Sequence, residues 1–361
     1  MPSLPTTRLG SALTLRAGAH ALALVRERGL RLEDIDVIPG ASGGAKWLVI
    51  AGLDRYLFGE FLQGPRTRPL HLIGSSIGSW RMACLAQRDP LAALDRGHHA
   101  YIYDQQYSAR PSTREVTDVL VRALDTLLGP AGVEEILSHP WARVHVITAQ
   151  GRGWASSERR ALLTSSIAFA AAGNMLSRRT LALQLRRFIF HSAGDTTPFA
   201  GLSDLPTTHV TLTRDNCRAA LMASGSIPLL VEGVRIPGVD GLHWDGGVLD
   251  YHLDLDFGTG DGLVLYPHFY SHIVPGWFDK GLRWRRGRPS NFERALVIAP
   301  SDAFIASLPG GRIPDRNDFY QLDHPSRIAR WQAVVNATTR LGDELRELIA
   351  TGRIADHVKR W

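Results

Sequence analysis

Two strand–glycine turn–helix units follow one another early in the sequence, and they constrain the fold more than any other feature. The apolar run DIDVIPG (34–40) ends in glycine, and AKWLVIAGLDRYLFGEFL (45–62) follows it with the apolar character of a buried helix. PLHLIG (69–74) and SWRMACLAQ (79–87) repeat that order. Strands that alternate with helices in this way lie parallel in one sheet, so the sequence predicts an α/β fold with a mostly parallel central sheet.

Other elements extend this pattern in both directions along the chain. A helix is predicted over RAGAHALALVRERG (16–29), where it ends at a glycine. Further strands are predicted at RVHVITAQ (143–150), HVTLT (209–213) and GLVLYPHF (262–269). No internal repeat and no low-complexity linker divides the chain.

The predicted organisation is one α/β domain with additions. Residues 1–34 form a helical lead-in, and residues 35–272 form the α/β domain itself. Two mostly helical insertions, at about 92–140 and 158–190, are expected to lie over its sheet. Residues 273–361 are predicted to be loop and then one long helix, PSRIARWQAVVNATTRLGDELRELIATG, packed on the same domain.

Composition places the chain among globular proteins. Of 361 residues, 44% are hydrophobic and 21% are charged, which is enough apolar material for a large core. Two cysteines give neither a disulfide framework nor metal-ligand spacing. The N-terminal residues do not form the apolar run of a signal peptide, and the longest weakly polar stretch, 161–176, is too short for a membrane span. The expectation is a soluble, cytoplasmic protein.

The net charge of +6 comes almost entirely from arginine, because only three residues are lysine. A GC-rich genome explains such a bias, and so do guanidinium groups that bind phosphate or carboxylate. The segment from Trp277 to Arg288 combines aromatic and basic side chains and is predicted to contact an anionic membrane surface. The sequence has no zinc-finger, helix-turn-helix or RNA-recognition pattern, so binding to nucleic acid is not expected.

The first glycine turn, PGASGGAK (39–46), offers small residues at the start of a helix. Its lysine is followed by Trp47 instead of Ser or Thr, so the turn lacks the magnesium-binding hydroxyl of a nucleotide-binding P-loop. Backbone N–H groups that converge at a helix N-terminus can hold a developing oxyanion. The alternative is that these glycines only allow the strand and the helix to pack closely.

The second turn, GSSIGSW (74–80), contains a Gly-x-Ser-x-Gly pattern centred on Ser76. Gly74 and Gly78 flank the serine at the end of a predicted strand and the start of a predicted helix. In that position the turn holds a serine hydroxyl in an exposed, strained conformation, as a nucleophile requires. Further along the chain, GLHWDGGVLD places Asp245 before two glycines, and a predicted helix in RAALMASGSIPLL stops shortly before it.

These motifs, in this order, resemble the patatin-like phospholipase family over roughly residues 35–250. The resemblance implies a three-layer α/β/α fold with a mostly parallel central sheet and added helical segments. It also implies a Ser–Asp dyad without histidine that hydrolyses acyl esters of lipids, with Ser76 as nucleophile and Asp245 as base. Neither a metal nor an organic cofactor is indicated.

The other site residues follow the same resemblance, motif by motif. The family's oxyanion loop is matched by GGAK, its nucleophile elbow by the two glycines around Ser76, its Asp-Gly-Gly turn by the residues after Asp245, and the helix end before that turn by ASGSIP (223–228). The residues concerned are Gly43, Gly44, Ala45 and Lys46; Gly74 and Gly78; and Gly246 and Gly247. The chain departs from the family at Trp47, where another glycine is usual, and this affects the expected shape of the oxyanion hole.

Two alternative assignments of the catalytic residues stay open at this point. Ser42 also lies in a Gly-x-Ser-x-Gly pattern, but the preceding unit would then be TLRAGAH, which has a single glycine. Ser76 is preceded by the glycine-rich PGASGGAK, one helix and one strand earlier, and is therefore favoured. A Ser–His–Asp triad would need a histidine after the aspartate in sequence, and His252 and His268 have that position.

The mechanism expected from these residues is two-step acyl transfer. A carboxylate of ordinary pKa is a weak base, so Asp245 has to be desolvated and hydrogen-bonded to the serine. The expected substrate is a lipid or another acyl ester. A lipid-binding protein without activity, and an esterase for a thioester, a polyester or another non-membrane acyl ester, are the alternatives.

Overall fold

The computed structural model of the protein describes residues 10–194 and 197–361. Ten strands of this part of the chain form one sheet. In chain order the strands are β1 Leu13–Ala17, β2 Ile35–Gly40, β3 Leu70–Ser75, β4 Ala142–Gly151, β5 Leu185–His191, β6 Thr207–Thr211, β7 His243–Asp245, β8 Leu263–Pro267, β9 Ala295–Pro300 and β10 Val358–Arg360. Their order across the sheet is β10-β1-β9-β8-β2-β3-β4-β5-β6, and β7 pairs with β4.

The sheet is mostly parallel, as the alternation of strands and helices predicted. The central run β9-β8-β2-β3-β4 is parallel throughout. Antiparallel pairing is confined to β1 with β9, β4 with β5, and β4 with β7. Every residue of β8 and β9 is buried, which shows that both faces of the sheet are covered.

Helices pack on the sheet in an arrangement consistent with a three-layer α/β fold. The helices are α1 Ala19–Arg28, α2 Ala51–Tyr56, α3 Ile77–Leu85, α4 Pro90–His99, α5 Thr113–Leu128, α6 Gly132–Leu137, α7 Arg160–Leu176, α8 Cys217–Ser224, α9 Asp302–Ser307, α10 Asp318–Gln321, α11 His324–Ala337, α12 Thr339–Ala350 and α13 Ile354–His357. Helix α3 contacts β2, β3 and β4, and α8 contacts β4 and β7. A continuous apolar core joins the sheet to most of these helices.

A smaller apolar cluster lies beneath α7, apart from the main core. Leu163 and Ala170 of α7 contribute to it, together with Leu181 and with Trp244 of β7. The cluster holds α7 against the strand that carries Asp245. Across residues 10–194 and 197–361, no helix is both long enough and apolar enough to cross a membrane.

Several sequence-based predictions of individual elements were wrong. The stretch 45–62 is helical, but it divides into a 3₁₀ helix (Gly44–Ile50), α2 and a π-helix (Leu57–Phe61). Gly52 lies at the centre of this stretch, where a side chain would overlap the carbonyl oxygen of Thr338. The close approach of another chain segment at this point accompanies the change from one helix type to the next.

Strands replace predicted helix and loop at three places. Residues 13–17 of the expected helical lead-in form β1, which takes up the first two residues of the helix predicted over 16–29, while residues 1–9 lie outside the described residues. The second insertion ends in β5, and the loop expected after residue 285 contains β9. In β5 the sequence LRRFIFH hides a strand because its buried Arg187 interrupts the apolar pattern.

The long C-terminal helix divides into α11 and α12 at Thr338. The hydroxyl of Thr338 donates to the carbonyl of Val335 and accepts a hydrogen bond from the N–H of Gly52. Helix α12 then packs on α2, and the chain ends in β10, at the β1 edge of the sheet. The sequence pattern did not indicate this side chain, which joins the end of α11 to the backbone of α2.

Candidate active site

Glycines bring β2, β3 and the start of α3 into backbone contact. Gly40 and Gly74 are paired across the ends of the two parallel strands. A side chain on Gly78 would overlap the carbonyl oxygen of Gly40, and one on Gly40 would overlap that of Gly78. A Cβ on Gly74 would lie 2.5 Å from the N atom of Ser79. Only glycine fits at these three positions, so the turn at Ser76 is fixed by direct backbone packing.

Ser76 itself has a backbone conformation that non-glycine residues seldom adopt. It lies between β3 and α3 with φ of 55° and ψ of −136°. Its N–H donates to Oγ of Ser224 at 2.9 Å, and that hydroxyl donates to the carbonyl of Ile147 at 2.7 Å. Its carbonyl accepts a 2.7 Å bond from the hydroxyl of Ser79. These contacts hold the strained turn in place.

Strand β4 brings Ser76 and Asp245 together. β4 pairs first with β3, and this pairing ends where Ile147 lies opposite Ser75. The next residue of β4, Thr148, lies opposite Asp245, where the pairing with β7 begins. The residue that follows β3 is therefore next to the end of β7. The hydroxyl of Ser76 donates to Oδ2 of Asp245 at 2.6 Å.

The Asp-Gly-Gly turn orients the carboxylate. Oδ1 of Asp245 accepts a 2.6 Å hydrogen bond from the N–H of Gly247, and the N–H of Asp245 donates to the carbonyl of Ser226. A side chain on Gly246 would overlap the carbonyl of Ile147, and one on Gly247 would overlap the hydroxyl of Ser42. The sequence pattern ASGSIP thus holds both residues of the pair, through Ser224 and Ser226.

The environment of Asp245 makes it a stronger base than an exposed aspartate. The residue is 5% exposed, and burial raises the pKa of its carboxyl from 3.8 to about 6. Hydrogen bonds from Ser76 and Gly247 and the positive charge of Lys280 oppose that rise. A pKa of about 6 lies close to neutral pH, where a general base accepts a proton most effectively.

Backbone N–H groups for an oxyanion lie beside the serine. Gly43 precedes the 3₁₀ helix and Gly44, with φ of 55°, is its first residue, so helical carbonyls do not reach their N–H groups. Ile77, the first residue of α3, has no intrahelical acceptor for its N–H for the same reason. Ile77 was not predicted as a site residue, although its place directly after the serine could have indicated it.

The last two residues of GGAK differ from the first two. The N–H of Lys46 donates to the carbonyl of Gly43 at 3.3 Å, so it is already used within the turn. Ala45 is buried, and it does not line either of the two cavities next to Ser76 that are described below. Trp47 is also buried and packs on His98, 4.6 Å between ring centres, so the departure from the family pattern places no side chain in the site.

Ser42 is a structural residue in this geometry. It is 2% exposed, and its hydroxyl bonds to Oγ of Ser75 at 2.7 Å and to the carbonyl of Ser75 at 3.1 Å. The hydroxyl of Ser75 in turn donates to the carbonyl of Asp250. Because Asp245 bonds to Ser76, the geometry favours Ser76 over Ser42 as the nucleophile.

The two histidines of the alternative triad are directed elsewhere. Nδ1 of His252 accepts from the N–H of Val274 at 3.0 Å, and Nδ1 of His268 accepts from the N–H of Tyr270 at 2.8 Å. Their rings pack on each other with centres 4.4 Å apart. Burial lowers the pKa of both imidazoles. Neither ring bonds to the serine or to Asp245, so no triad is assembled.

Two cavities meet at Ser76. The larger, the apolar cavity, has a volume of about 330 Å³, and the smaller, the basic cavity, about 130 Å³. The apolar cavity is lined mainly by hydrophobic side chains, among them Ile77, Trp80, Val116, Leu120, Leu230, Val231 and Phe319. Gly44, Ser76, Ile227 and Arg316 line both cavities. Both linings are mostly apolar, and the smaller cavity is distinguished by the two lysines Lys46 and Lys280; the hydroxyl stands at the junction of the two cavities.

The basic cavity contains both lysines that lie near Ser76. Lys46, Lys280 and Arg316 line it, and Lys46 forms an ion pair with Asp315. Burial lowers the pKa of Lys46 to about 8. Burial of its ammonium, together with the charges of Lys46 and Arg316, lowers the pKa of Lys280 to about 7. Arg316 was not predicted as a site residue, and Lys280 was included only in the segment 277–288 that is predicted to contact a membrane.

The site combines a serine hydroxyl bonded to a buried carboxylate, N–H groups without an intrahelical acceptor and two cavities, an arrangement that suits attack on an acyl carbon. Within the described ranges no group of three or more His, Cys, Asp or Glu side chains is placed to hold a metal ion. No family model matches the chain, and no curated protein is significantly similar to it in sequence.

Proposed function

We propose that the protein is a serine acyl hydrolase of the patatin-like type, which cleaves carboxylic esters of lipids. The observation that carries this proposal is the 2.6 Å hydrogen bond from the hydroxyl of Ser76 to a buried carboxylate of Asp245. The strained turn and the position at the junction of two cavities support it. Strain of this kind persists where function requires it, and it is unusual in a turn that only connects two elements.

The proposed reaction has two steps. Asp245 takes the hydroxyl proton while Oγ of Ser76 attacks the ester carbonyl, and the oxyanion is stabilised by the N–H groups of Gly43, Gly44 and Ile77. The C–O bond to the alcohol then breaks, and the departing oxygen takes the proton from Asp245. In the second step Asp245 removes a proton from water, the hydroxide attacks the acyl-enzyme, and the carboxylic acid leaves as Ser76 regains its proton.

The two cavities suggest how the ester is oriented. The apolar cavity has the lining that suits an acyl chain, because burial of its methylene groups is favourable there. The alcohol part of the ester would then occupy the basic cavity. Ser76 lies where the two parts of such a substrate join.

The test is hydrolysis by the purified protein of a panel of p-nitrophenyl esters of short and long acyl chains and of phospholipids. Turnover is expected for the esters and is expected to disappear in Ser76→Ala. A folded wild-type protein that hydrolyses none of them contradicts the proposal and favours a protein that only binds lipid.

A further inference from the structure

Helix α7 has an exposed face without charge. From Ala161 to Leu176 the sequence ALLTSSIAFAAAGNML contains no charged residue. Leu162, Phe169 and Leu176 are seven residues apart, so they lie along one side, and they are 36%, 46% and 88% exposed. A helix face that is exposed in this way usually carries charged and polar side chains.

The opposite face shows that this orientation is built into the fold. Leu163 and Ala170 are buried in the apolar cluster beneath the helix. The side-chain amide of Asn174 donates to buried Asp279 at 2.7 Å, and the carbonyl of Asn174 accepts from Arg285 at 2.6 Å. These contacts fix which side of α7 faces outward, and they join the helix to the segment 277–288.

Nearly all large exposed apolar side chains belong to this region. Of the eight found in the described residues, seven lie in or beside α7 or in the attached segment: Trp154, Leu162, Phe169, Met175, Leu176, Leu183 and Trp284. We call this set the α7 surface. A cluster of this kind on a globular protein marks an interaction site.

The surroundings of the α7 surface are strongly basic. Residues 152–186 and 277–288 contain eleven basic and two acidic residues, whereas the whole chain has a net charge of +6. The side chain of one of the acids, Asp279, is buried and paired with Arg178 and Arg285. Exposed Arg159, Arg160 and Arg179 stand at the two ends of α7.

We propose that the α7 surface docks on an anionic lipid surface, with its apolar side chains inserted at the boundary between headgroups and acyl chains. Exposed apolar side chains beside arginine are the combination that binds at a charged membrane interface. A second copy of the same surface would bring two basic rims together, which electrostatic repulsion opposes. Charge complementarity therefore selects an anionic bilayer as the occupant.

The docked orientation would bring the basic cavity close to the lipid. Ile167 of α7 lines that cavity, as do Trp277 and Phe278 of the attached segment. In this proposal α7 supplies the larger part of the membrane-binding surface. The segment 277–288, for which membrane contact was predicted from the sequence, supplies the smaller part. This inference does not depend on catalysis, since binding can be measured with Ser76→Ala.

The experiment is co-sedimentation of Ser76→Ala protein with phosphatidylcholine vesicles that contain increasing phosphatidylserine. Binding is expected to rise with phosphatidylserine and to fall with salt. Adding Phe169→Asp and Leu176→Asp is expected to weaken binding at least tenfold. The matched control is Ala23→Asp with Ala306→Asp, which adds the same charge at exposed positions on α1 and α9.

Circular dichroism and thermal unfolding establish that each variant is folded. Wild-type binding that is absent, independent of phosphatidylserine, or equal in the α7 and control variants overturns the proposal. Self-association of the wild type that the α7 substitutions abolish, without vesicle binding, also overturns it and assigns the surface to a second copy.

A second inference comes from the basic cavity, and it rests on the proposed function. The cavity holds two of the chain's three lysines. Lys280, although exposed as a whole residue, places its ammonium 4.0 Å from the ring centre of Tyr251. Neither Lys280 nor Arg316 has a carboxylate partner within ion-pair distance in the part of the chain that the structure describes.

We infer that the basic cavity binds an anionic group, a carboxylate or a phosphate, carried by the alcohol part of the ester. Lys46 is already neutralised by Asp315, so the cations free to bind it are Lys280 and Arg316. Since the pKa of Lys280 is about 7, an anion beside it would also restore its full positive charge. An ester that places such a group beside Ser76 is thus held in position for attack.

Soluble esters that share the same acyl chain and differ in the leaving group test this inference without a membrane. The compounds are 4-acyloxybenzoate, 4-acyloxyphenyl phosphate and the neutral 4-acyloxybenzamide. We expect kcat/KM to be about tenfold higher for the anionic esters, a difference of about 1.4 kcal/mol. Lys280→Gln and Arg316→Gln are expected to remove that preference. The control variant Arg26→Gln, at an exposed position of α1, is expected to keep it.

Equal kcat/KM for charged and neutral esters, or equal losses for both in the variants, overturns the anion site while ester turnover leaves the proposed function intact. Calorimetric titration of Ser76→Ala protein with 4-hydroxybenzoate and with inorganic phosphate measures anion binding directly. It therefore distinguishes failure of the anion site from failure of the proposed esterase function. Absence of binding to both anions overturns the inference whether or not the protein is an esterase, and binding that Lys280→Gln abolishes supports it.

Discussion

At the scale of single residues, the turn at Ser76 and the carboxylate of Asp245 depend on each other. Ser76 has a strained backbone and Asp245 is a buried acid, and the hydroxyl of Ser76 donates the hydrogen bond that joins them. We expect a fluorophosphonate probe, which reacts with activated serines, to label the wild type at Ser76. Ser76→Ala should abolish labelling, and Asp245→Asn should slow it about a hundredfold or more, because the general base is lost.

Ser42→Ala is the matched control for this labelling. Its hydroxyl bonds only to Ser75, so labelling of the variant should remain close to that of the wild type. The rate is measured by fluorescence of the labelled band over time, and the modified residue by mass spectrometry. Labelling that is lost in Ser42→Ala and retained in Ser76→Ala would show that the first glycine turn carries the nucleophile.

The raised pKa of Asp245 predicts opposite effects on activity and on stability. The proposed base has to be unprotonated, so kcat/KM should fall about tenfold per pH unit below about pH 6. The folded-state pKa is above the unfolded value of 3.8, so the folded state binds the proton more tightly. This carboxyl therefore lowers stability as pH rises from about 4 to 6, and its cost is fully present above that range.

Asp245→Asn should consequently stabilise the protein while it inactivates it. Because a shift of about two pKa units corresponds to about 3 kcal/mol, we expect the free energy of unfolding at pH 7 to rise by about 1–3 kcal/mol. Urea denaturation at pH 7 and at pH 4 measures it, and the gain should be smaller at pH 4. A variant that is less stable than the wild type at pH 7 would contradict this account of the buried carboxylate.

The sequence was most informative at this scale where a motif has a fixed geometry. The glycine patterns led to Ser76, Asp245, Gly43 and Gly44, which the structure places together. Arg316 was missed, and Lys280 was assigned only to the predicted membrane contact at 277–288, because only the folded chain brings these two residues to the cavity. Their roles come from long-range packing, which has no local signature.

At the scale of elements, the contact between Gly40 and Gly78 sets the distance from β2 to α3. A side chain at Gly78 would overlap backbone atoms, which cannot move away as a flexible side chain can. Gly78→Ala should therefore lower the free energy of unfolding by about 2 kcal/mol or more and displace Ser76, with loss of probe labelling. Gly201→Ala is the control, since no atom lies within 4 Å of its added Cβ.

Thermal unfolding and labelling rate are the two measurements for these glycine variants. The Gly201 variant should match the wild type in both. If Gly78→Ala is as stable and as reactive as the wild type, close backbone packing does not hold the turn in place.

Elements were predictable where their hydrophobic pattern is simple. The βαβα unit at the start of the domain was found because its strands are apolar runs that end in glycine. β7 was missed because only three of its residues pair with β4, too few for any periodicity. Yet β7 places Asp245, so one of the shortest strands has the largest effect on the site.

At the scale of the whole molecule, buried ion pairs connect the sheet, the Asp-Gly-Gly turn and α7. Arg187 of β5 binds both oxygens of Asp250, and Asp250 also pairs with Arg178, which lies close to Asp279. Asp279 in turn binds Asn174 of α7. A single network thus runs from the sheet, past the turn that carries Asp245, to the helix of the α7 surface.

This network predicts a large loss of stability from one substitution in β5. Arg187 and Asp250 are both fully buried, and Arg187 also binds Asp204, so Arg187→Met takes a shared partner from two carboxylates and should cost about 3–5 kcal/mol. Adding Asp250→Leu removes the fully buried one of these two charges, and the double variant should recover part of that loss. The exposed pair of Arg218 and Asp125 is the control, and Arg218→Met should cost less than about 1 kcal/mol.

Urea denaturation gives the free energy of unfolding of each variant. A cost for Arg187→Met no larger than for Arg218→Met would show that the network does not hold these elements together, whereas a large cost with slower labelling of Ser76 would show that it also positions the site.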